Sequence, residues 1–441
     1  MLPFAEAFFF MTSQSPKSQA PRVVILGAGF AGLRLARKLA NKPVQVVLID
    51  KNNFHQFQPL FYQVATAGLA PSSIAFPIRK VFHKAANVHF RVAEVNRIDT
   101  ASNSIDTSIG PVSYDKLVIA TGADTNYFNN KQIEAFALPM KSVQESLFLR
   151  NRILECMEAA LVADSVEERA ALMNVVVVGG GPTGTEVSGA LAEMRSYVLP
   201  KDYPELDFSA MQIHLIEASP RLLGPMSGVA SKRSEDFLKS MGVKVEVNTL
   251  VESYDGHMVK TKDGRTFITN SLIWAAGIKG NILEGIPENL IVANGRVKVD
   301  RTNKMLGSEN VFVIGDVAIM EEGNFDKGHP QVAQVAIQQA DRLYVNLLNE
   351  LKGKEMKPFR YNDLGSMATI GRNKAVVDLP YIKFQGFVAW VFWLFIHLMS
   401  ILGVKNRLFI FLEWMWNYFT YDQSLRLVIK QKPRDGEASA K

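Results

Sequence analysis

Residues Arg22–Ala40, RVVILGAGFAGLRLARKLA, change their hydrophobic period within a few positions. Val23–Leu26 is a short, β-branched apolar run suited to a buried strand of a parallel sheet. Gly27-Ala28-Gly29-Phe30-Ala31-Gly32 follows at once, and the amphipathic pattern to about Ala40 predicts a helix. A second strand, Val44–Ile49, ends in Asp50 and Lys51. In such a strand–turn–helix–strand unit the glycines permit a tight turn and a close approach of the backbone to a pyrophosphate. The pyrophosphate rests on the helix N-terminus. Asp50, twenty-three residues after Gly27, is placed to bind ribose hydroxyls. The unit therefore reads as a dinucleotide site.

The pattern repeats further along the chain. Asn174–Val178 is a strand, Gly179-Gly180-Gly181-Pro182-Thr183-Gly184 the turn, and Thr185 to about Met194 the helix. The next strand, Gln212–Ile216, ends in Glu217, thirty-eight residues after Gly179, because Arg195–Ala210 reads as a Pro-containing insertion. A chain with two such folds most simply binds two dinucleotides. Three shorter signals accompany them: Tyr114–Gly122 (YDKLVIATG), Leu272–Gly277 (LIWAAG) and Val313-Ile314-Gly315-Asp316, each a strand running into a small-residue turn.

In their order along the chain these motifs resemble the two-dinucleotide flavoproteins related to glutathione reductase. The resemblance implies an α/β fold with two Rossmann-like dinucleotide-binding domains. The first turn, with Gly27, Gly29, Phe30, Ala31, Gly32, Asp50 and Lys51, would hold FAD. The turns Ala120-Thr121-Gly122 and Ala276-Gly277 would close the domains, and Gly315-Asp316 would place a carboxylate on the ribitol. Gly179, Gly181, Pro182, Thr183 and Gly184 would bind NAD(P)H against the flavin.

Cysteine content then narrows the electron acceptor. Cys156 is the single cysteine, which excludes disulfide scaffolds, zinc fingers and Cys-ligated iron–sulfur clusters. No metal site is expected. Disulfide reductases need a CxxxxC pair after the first unit, where this chain has His55–Ala65, HQFQPLFYQVA. Cys156 falls in a predicted interdomain helix, Val143–Leu161, as a small packed hydrophobe. The electrons must leave by a non-thiol acceptor.

Gly328–Gln339, GHPQVAQVAIQQ, is the next clue. Pro330 suits the first turn of a helix whose N–H groups would favour the negative charge of a reduced flavin. Gln334 and Gln338, four apart, share a face, and amides suit quinone carbonyls that become hydroxyls. A solvated polar face is the plainer reading of that pair. Yet AQxAxQ from Ala333, with the early Phe57–Thr66 run FQPLFYQVAT, resembles the type II NADH dehydrogenases, non-pumping NADH:quinone oxidoreductases. That resemblance implies Glu186 beside the nicotinamide, Glu217 on the adenosine ribose of NADH, and a membrane quinone (menaquinone or ubiquinone) as acceptor. The Glu217 charge should repel a 2′-phosphate, while Arg221 leaves some NADPH use open.

Composition fits. At 441 residues, 48% hydrophobic and 21% charged, the chain is too long for one core and is not disordered. The net charge is +6, and +4 of it lies in Ile382–Lys441 with four of the five tryptophans, Trp390, Trp393, Trp414 and Trp416. Basic and aromatic residues together suit an anionic membrane surface better than nucleic acid. Between Lys383 and Lys405 there is no charge, a length that could span a bilayer. On a helical wheel, however, Gln385, Gly386, Ala389, Ser400 and Gly403 fall on one side with His397, interrupted by Trp393 and Ile396. Such a face suits packing on protein while the rest meets lipid, and Leu408–Tyr421 adds a second apolar stretch carrying Glu413. Lys405, Arg407, Arg426 and Lys430 flank it. A C-terminal membrane-associating helical segment that lies on the surface is expected. His397 is expected as a satisfied interfacial residue, with a proton relay or a headgroup contact as other readings.

The N-terminus has neither the basic n-region nor the arginines of a targeting segment, and Met11 is an alternative start. The expected layout is a disordered leader over 1–20, an FAD domain from 21–125 and 295–350, an NADH domain over 126–294, and an anchoring region over 351–441. The expected location is the cytoplasmic face of a bacterial inner membrane. A homodimer through the C-terminal region is left open. A soluble reductase of a ferredoxin-like carrier or oxygen, and a membrane-bound redox sensor, are the rival functions.

Overall fold

The computed structural model describes residues 19–323, 325–421 and 425–428. The expected leader, but for its last two residues, lies outside that range, as does Lys430. The chain divides into two compact units. The first comprises residues 1–56, 76–124 and 278–364, and the second 57–75, 125–277 and 365–441. Residues 57–75 were expected with the first domain and 278–294 with the second; the structure groups each with the other. The C-terminal region does not stand apart. Its residues from 365 onward belong to the second unit.

The first unit is built on a five-stranded parallel sheet with spatial order 311–313, 116–119, 22–26, 45–50, 88–92. Val24 pairs with Val47 on one side and Leu117 on the other. Strands buried on both faces carry apolar residues without alternation, which is why Val23–Leu26 and Val46–Ile49 are all buried. Helix Phe30–Leu39 buries Leu33, Leu35, Ala36 and Leu39 and packs against helix Ala333–Glu350. Arg34 grips Asp341 through two bonds of 2.7 and 2.9 Å. An antiparallel meander, Val95–Asp99, Ser104–Thr107 and Val112–Ser113, contributes Ile98, Ile105 and Val112 to the same core.

The second unit repeats the scheme with four parallel strands in the order 243–246, 213–216, 175–178, 271–274. Helix Pro182–Glu193 follows the Val175–Val178 strand and runs into a π-helical turn, Met194–Val198, at the start of the expected insertion. Helix Val143–Leu161 spans the residues predicted for it. Ser142 starts it by accepting the Glu145 N–H at 3.1 Å. Cys156 is buried in it, 3.7 Å from the Ser271 hydroxyl.

A three-stranded antiparallel sheet, Ser366–Gly371, Lys374–Asp378 and Lys383–Gln385, completes this unit. It approaches helix Pro182–Glu193 so closely that a Cβ on Gly189 would lie 1.6 Å from the Ile370 carbonyl oxygen. Two apolar helices follow, Phe387–Ser400 and Val404–Thr420, separated by Gly403 at φ 84°. At 1.5 Å per residue the first is about 21 Å long. No helix among the described residues is long and apolar enough to cross a membrane. Their outward residues, among them Val388, Val391, Phe395, Leu408, Phe411, Leu412, Trp416 and Phe419, are exposed.

The face expected to pack on protein is corrected in one respect. Its buried row is Ala389 and Trp393, with His397 next along, whereas Ser400 is exposed and bonds back to the Ile396 carbonyl. Trp393, which seemed an interruption, is the anchor. Its ring stacks on His397 at 3.9 Å and meets Tyr62 edge-on at 6.4 Å, so a large aromatic fills the gap that small residues would have left empty.

Candidate functional site

In the first glycine turn Gly27 adopts φ 98°, and a Cβ there would stand 2.4 Å from the Ala120 carbonyl oxygen. A Cβ on Gly32 would stand 1.9 Å from the Gly27 oxygen. Only glycine closes this turn. Around Gly29 the opposite holds: nothing lies within 4 Å of its missing Cβ, and it caps helix Phe30–Leu39 without any side-chain bond. An uncapped helix N-terminus facing open space is an anion cradle. Asp50 is oriented by accepting the Ala28 N–H at 2.6 Å and the Asn52 N–H at 2.7 Å, which leaves carboxylate lone pairs for ribose hydroxyls. Burial pushes its pKa up, and those N–H groups offset part of the push. These residues fit the adenosine diphosphate half of FAD.

The remaining predicted contacts of this unit form turns braced by polar side chains. The Thr121 hydroxyl donates to the Asn281 carbonyl at 2.7 Å, and the Asn281 amide returns a bond to the Thr121 carbonyl at 3.1 Å, with Gly122 at φ 70°. Gly315, at φ 76°, donates its N–H to Gln339 at 2.7 Å, while Gln331 holds the Asp316 carbonyl at 2.8 Å. Neither glutamine was singled out from the sequence.

Helix Ala333–Glu350 begins at Ala333, with Val332 as its cap. Pro330 was expected in its first turn but lies in the loop before it. The Val332 N–H bonds the Pro330 carbonyl at 3.0 Å, a tight turn that delays the helix by three residues. Gln334 and Gln338 do share a face. Gln338 donates to the Asn362 carbonyl at 2.8 Å and accepts the Asn362 N–H at 3.0 Å, and Gln334 accepts the Leu364 N–H at 3.1 Å. Both amides thus hold the 362–364 backbone.

The second turn has the same geometry. Gly179 has φ 110° with its missing Cβ 2.4 Å from the Ala275 oxygen. A Cβ on Gly184 would stand 1.8 Å from the Gly179 oxygen, and Gly181 faces open space. Pro182 opens the helix, where its missing N–H costs nothing. Glu217 accepts the Gly180 N–H at 2.5 Å and the Ser219 N–H at 2.6 Å. The Ala276-Gly277 turn is packed by Phe128, whose ring would be 2.9 Å from a Cβ on Gly277, and the Asn126 N–H donates to the Gly277 carbonyl at 3.0 Å.

Glu186, one turn into helix Pro182–Glu193, is enclosed, and burial raises its carboxyl pKa to about 8. The Thr369 N–H, 3.4 Å away, and the neighbouring Trp393 indole offset only part of that shift. Glu193, on the same helix, accepts the Arg372 N–H, and burial raises its pKa too. Both carboxyls border a cavity of about 120 Å³ walled by Tyr62, Thr369, Trp393 and Trp414. Gly68 and Asn417 line both this cavity and a larger apolar one of about 520 Å³ that includes Leu412, Met415, Trp416 and Phe419. Tyr62, Gln63, Glu193 and Thr369 were not assigned any role from the sequence, and Trp414, expected among the tryptophans of a membrane surface, instead walls this cavity. Only the FQPLFYQVAT run hinted at the first two.

His397 is neutral at physiological pH, since burial lowers its pKa to about 4. Its Nδ1 lies 2.8 Å from the Trp393 carbonyl, which suits a satisfied residue. Among the described residues no cluster of side chains could hold a metal ion.

Residues 21–340 match the family model of pyridine nucleotide-disulphide oxidoreductases, and residues 364–420 that of the NDH2 C-terminal domain. The chain is 36% identical to the type II NADH:quinone oxidoreductase Ndh of Mycobacterium tuberculosis, over 91% of its own length and 89% of the relative's. It is 30% identical to a mitochondrial internal alternative NAD(P)H-ubiquinone oxidoreductase of Solanum tuberosum, over 90% and 86%. Among solved structures, NDH2 from Plasmodium falciparum in complex with NADH superposes with a TM-score of 0.85 at 22% identity, covering 93% of this chain and all of that one. Matched along both its nucleotide-binding units and its C-terminal helices, the chain belongs to the type II NADH:quinone oxidoreductase family.

Proposed function

We infer that this chain oxidises NADH through FAD and delivers the electrons to a quinone. One observation carries the reading furthest: two glycine turns of the same geometry, each ending in a carboxylate, within a chain whose single thiol is buried and whose C-terminal helices expose an apolar face. FAD, when bound, supplies a two-electron carrier between a hydride donor and a quinone. The protein's part is positional. Gly27, Gly29, Phe30, Ala31, Gly32 and Lys51 cradle the pyrophosphate end, and Asp50 fixes the ribose. Ala120, Thr121 and Gly122, with Gly315, Asp316 and Ala333, shape the walls beyond it.

Gly179, Gly181, Pro182, Thr183 and Gly184 seat NADH, with Ala276 and Gly277 closing that turn and Glu217 on the adenosine ribose. Glu186, whose raised pKa keeps it mainly protonated at neutral pH, holds a proton at its carboxyl beside the nicotinamide. Gln334 and Gln338 would be the amides that meet a quinone. A carbonyl reaching Gln338 would replace its bonds to Asn362.

The exposed rows of the two C-terminal helices, with Lys405 and Arg407, suit an anionic leaflet on the cytoplasmic side of a bacterial inner membrane, whereas Arg426 is engaged by Asp202 in an ion pair. Flotation with vesicles containing anionic lipid should carry the protein upward, and deleting residues after Leu379 should stop it. A homodimer through the same region would appear in sedimentation and vanish with that deletion. For the activity itself, anaerobic stopped-flow mixing with NADH should bleach the flavin, and a short-chain quinone should restore it. Bleaching without recovery would leave a redox sensor or a reductase of a protein carrier instead.

A further inference from the structure

We propose that Tyr62 is the hydrogen-bond donor to a carbonyl of the quinone headgroup, and that Gln63 and Trp414 hold it in that role. This rests on the reading above that a quinone is the acceptor, and it seats the headgroup at Tyr62 rather than at Gln334 and Gln338.

The direction of the bonds makes the case. The Trp414 indole N–H can only donate, and it lies 2.8 Å from the Gln63 side chain, so the atom it meets must be the amide oxygen. The other end of that amide is therefore NH₂, and it donates to the Tyr62 oxygen at 2.8 Å. With its oxygen already accepting, Tyr62 has its own proton to give. Among the described residues no acceptor takes it. The hydroxyl belongs to the wall of the cavity that also holds Glu186 and Trp393. Burial keeps the phenol protonated, so it is a donor at any working pH.

The surroundings select the ligand. The cavity is walled by Trp390, Trp393 and Trp414, and its volume of about 120 Å³ suits one ring. The larger apolar cavity that shares Gly68 and Asn417 with it is lined by exposed side chains of helix Val404–Thr420, such as Trp416 and Phe419. A planar dicarbonyl with a long hydrocarbon tail matches both compartments. Asn417 donates to the Gly68 carbonyl at 3.0 Å where the two compartments meet.

The test uses the detergent-solubilised holoenzyme, a ubiquinone with a single isoprenoid unit, and ferricyanide as an acceptor without a carbonyl to bond. Tyr62→Phe should lower kcat/KM for the quinone about tenfold, the cost of one buried hydrogen bond to substrate. Flavin bleaching by NADH and the ferricyanide rate should stay unchanged. Gln63→Glu keeps the shape but turns the amide NH₂ into an acceptor, so Tyr62 would donate to it instead of to the cavity. It should show the same loss, which a structural role for Gln63 does not require, and it stands in if Tyr62→Phe fails to retain flavin. Quinone kinetics within twofold of wild type in both variants would overturn the proposal. So would a loss that appears in KM for NADH, because the occupant would then be the nicotinamide. If wild-type protein itself fails to reduce the quinone, the functional reading falls, and the variants are not needed to see it.

Discussion

Gly27 sits at φ 98° and Gly179 at φ 110°, and each would bring a Cβ 2.4 Å from a carbonyl oxygen of the strand beside it. Gly27 and Gly179 each donate to a carbonyl at the end of the next strand, Ile49 or Ile216, at 2.8 Å. The turns differ little; the helices that leave them differ a great deal. Helix Phe30–Leu39 buries only apolar and small residues and presents Arg34 to Asp341 at its surface. Helix Pro182–Glu193 carries a buried carboxyl, Glu186, and a half-buried one, Glu193, both raised in pKa by desolvation, and at Gly189 admits a strand against its backbone. The first arrangement is a holder. The second brings titratable groups to a cavity, which is where chemistry with protons belongs.

The most severe way to break this comparison is to add a methyl group to the third glycine of each turn. Gly32→Ala and Gly184→Ala would each force a Cβ within 2 Å of a carbonyl oxygen, 1.9 and 1.8 Å respectively, and should each cost more than about 3 kcal/mol. Flavin content and NADH bleaching should separate them. Gly32→Ala should purify without flavin, and Gly184→Ala should keep flavin and lose its reduction by NADH. Equal flavin loss in both would mean that the two turns do not serve different dinucleotides.

Glu186 sharpens the contrast through pH. Its folded pKa, about 8, lies above that of an exposed glutamate, so the native state binds more protons than the unfolded state between those values. Stability should therefore fall as pH rises through that window, by about 3 kcal/mol between pH 5 and pH 8. Urea melts of wild type should show the fall, and Glu186→Gln should remove most of it. An equal slope in the variant would place the titration elsewhere.

The closing acids come next. Glu217→Gln should raise the ratio of NADPH to NADH turnover about tenfold by removing repulsion of the 2′-phosphate. Asp50→Asn should leave that ratio alone while loosening the flavin. A ratio unmoved by Glu217→Gln would sink its assigned role. Smallest of all is Arg34→Ala, which breaks a two-bond but half-exposed ion pair and should shift the melting free energy by about 0.5 kcal/mol. A loss above 2 kcal/mol would show that helix Phe30–Leu39 depends on its surface contacts more than on its buried face.

What could be read from the chain follows the range of its interactions. Both turn units and the Val143–Leu161 helix are local: periodicity, a Ser142 cap and glycines at fixed offsets specify them. The type II family was legible too, from AQxAxQ and FQPLFYQVAT in order. The hydrogen-bonded chain from Trp414 through Gln63 to Tyr62 joins residues 351 positions apart, and no spacing rule reaches that far. The Thr369 N–H beside Glu186 comes from a strand 183 residues away. At the C-terminus a wheel correctly put Ala389 inward but misjudged Trp393. Burial there follows the size of the gap between Tyr62 and His397, which lies outside the helix itself. Pro330 misled for a related reason: its position matched a helix start, and the turn closed by Val332 moved that start to Ala333.

The strand order of the first sheet also sets a timetable for synthesis. Val311–Val313 pairs alongside Lys116–Ile119, so the flank of that earlier strand stays bare until about 190 further residues have been made. At ~5–20 residues per second, that is roughly 10–40 s on the ribosome. Throughout that interval Leu117, Val118 and Ile119 present an apolar, unpaired edge of the kind that recruits other strands. The nascent chain therefore needs shielding at this edge until the strand that seals it emerges.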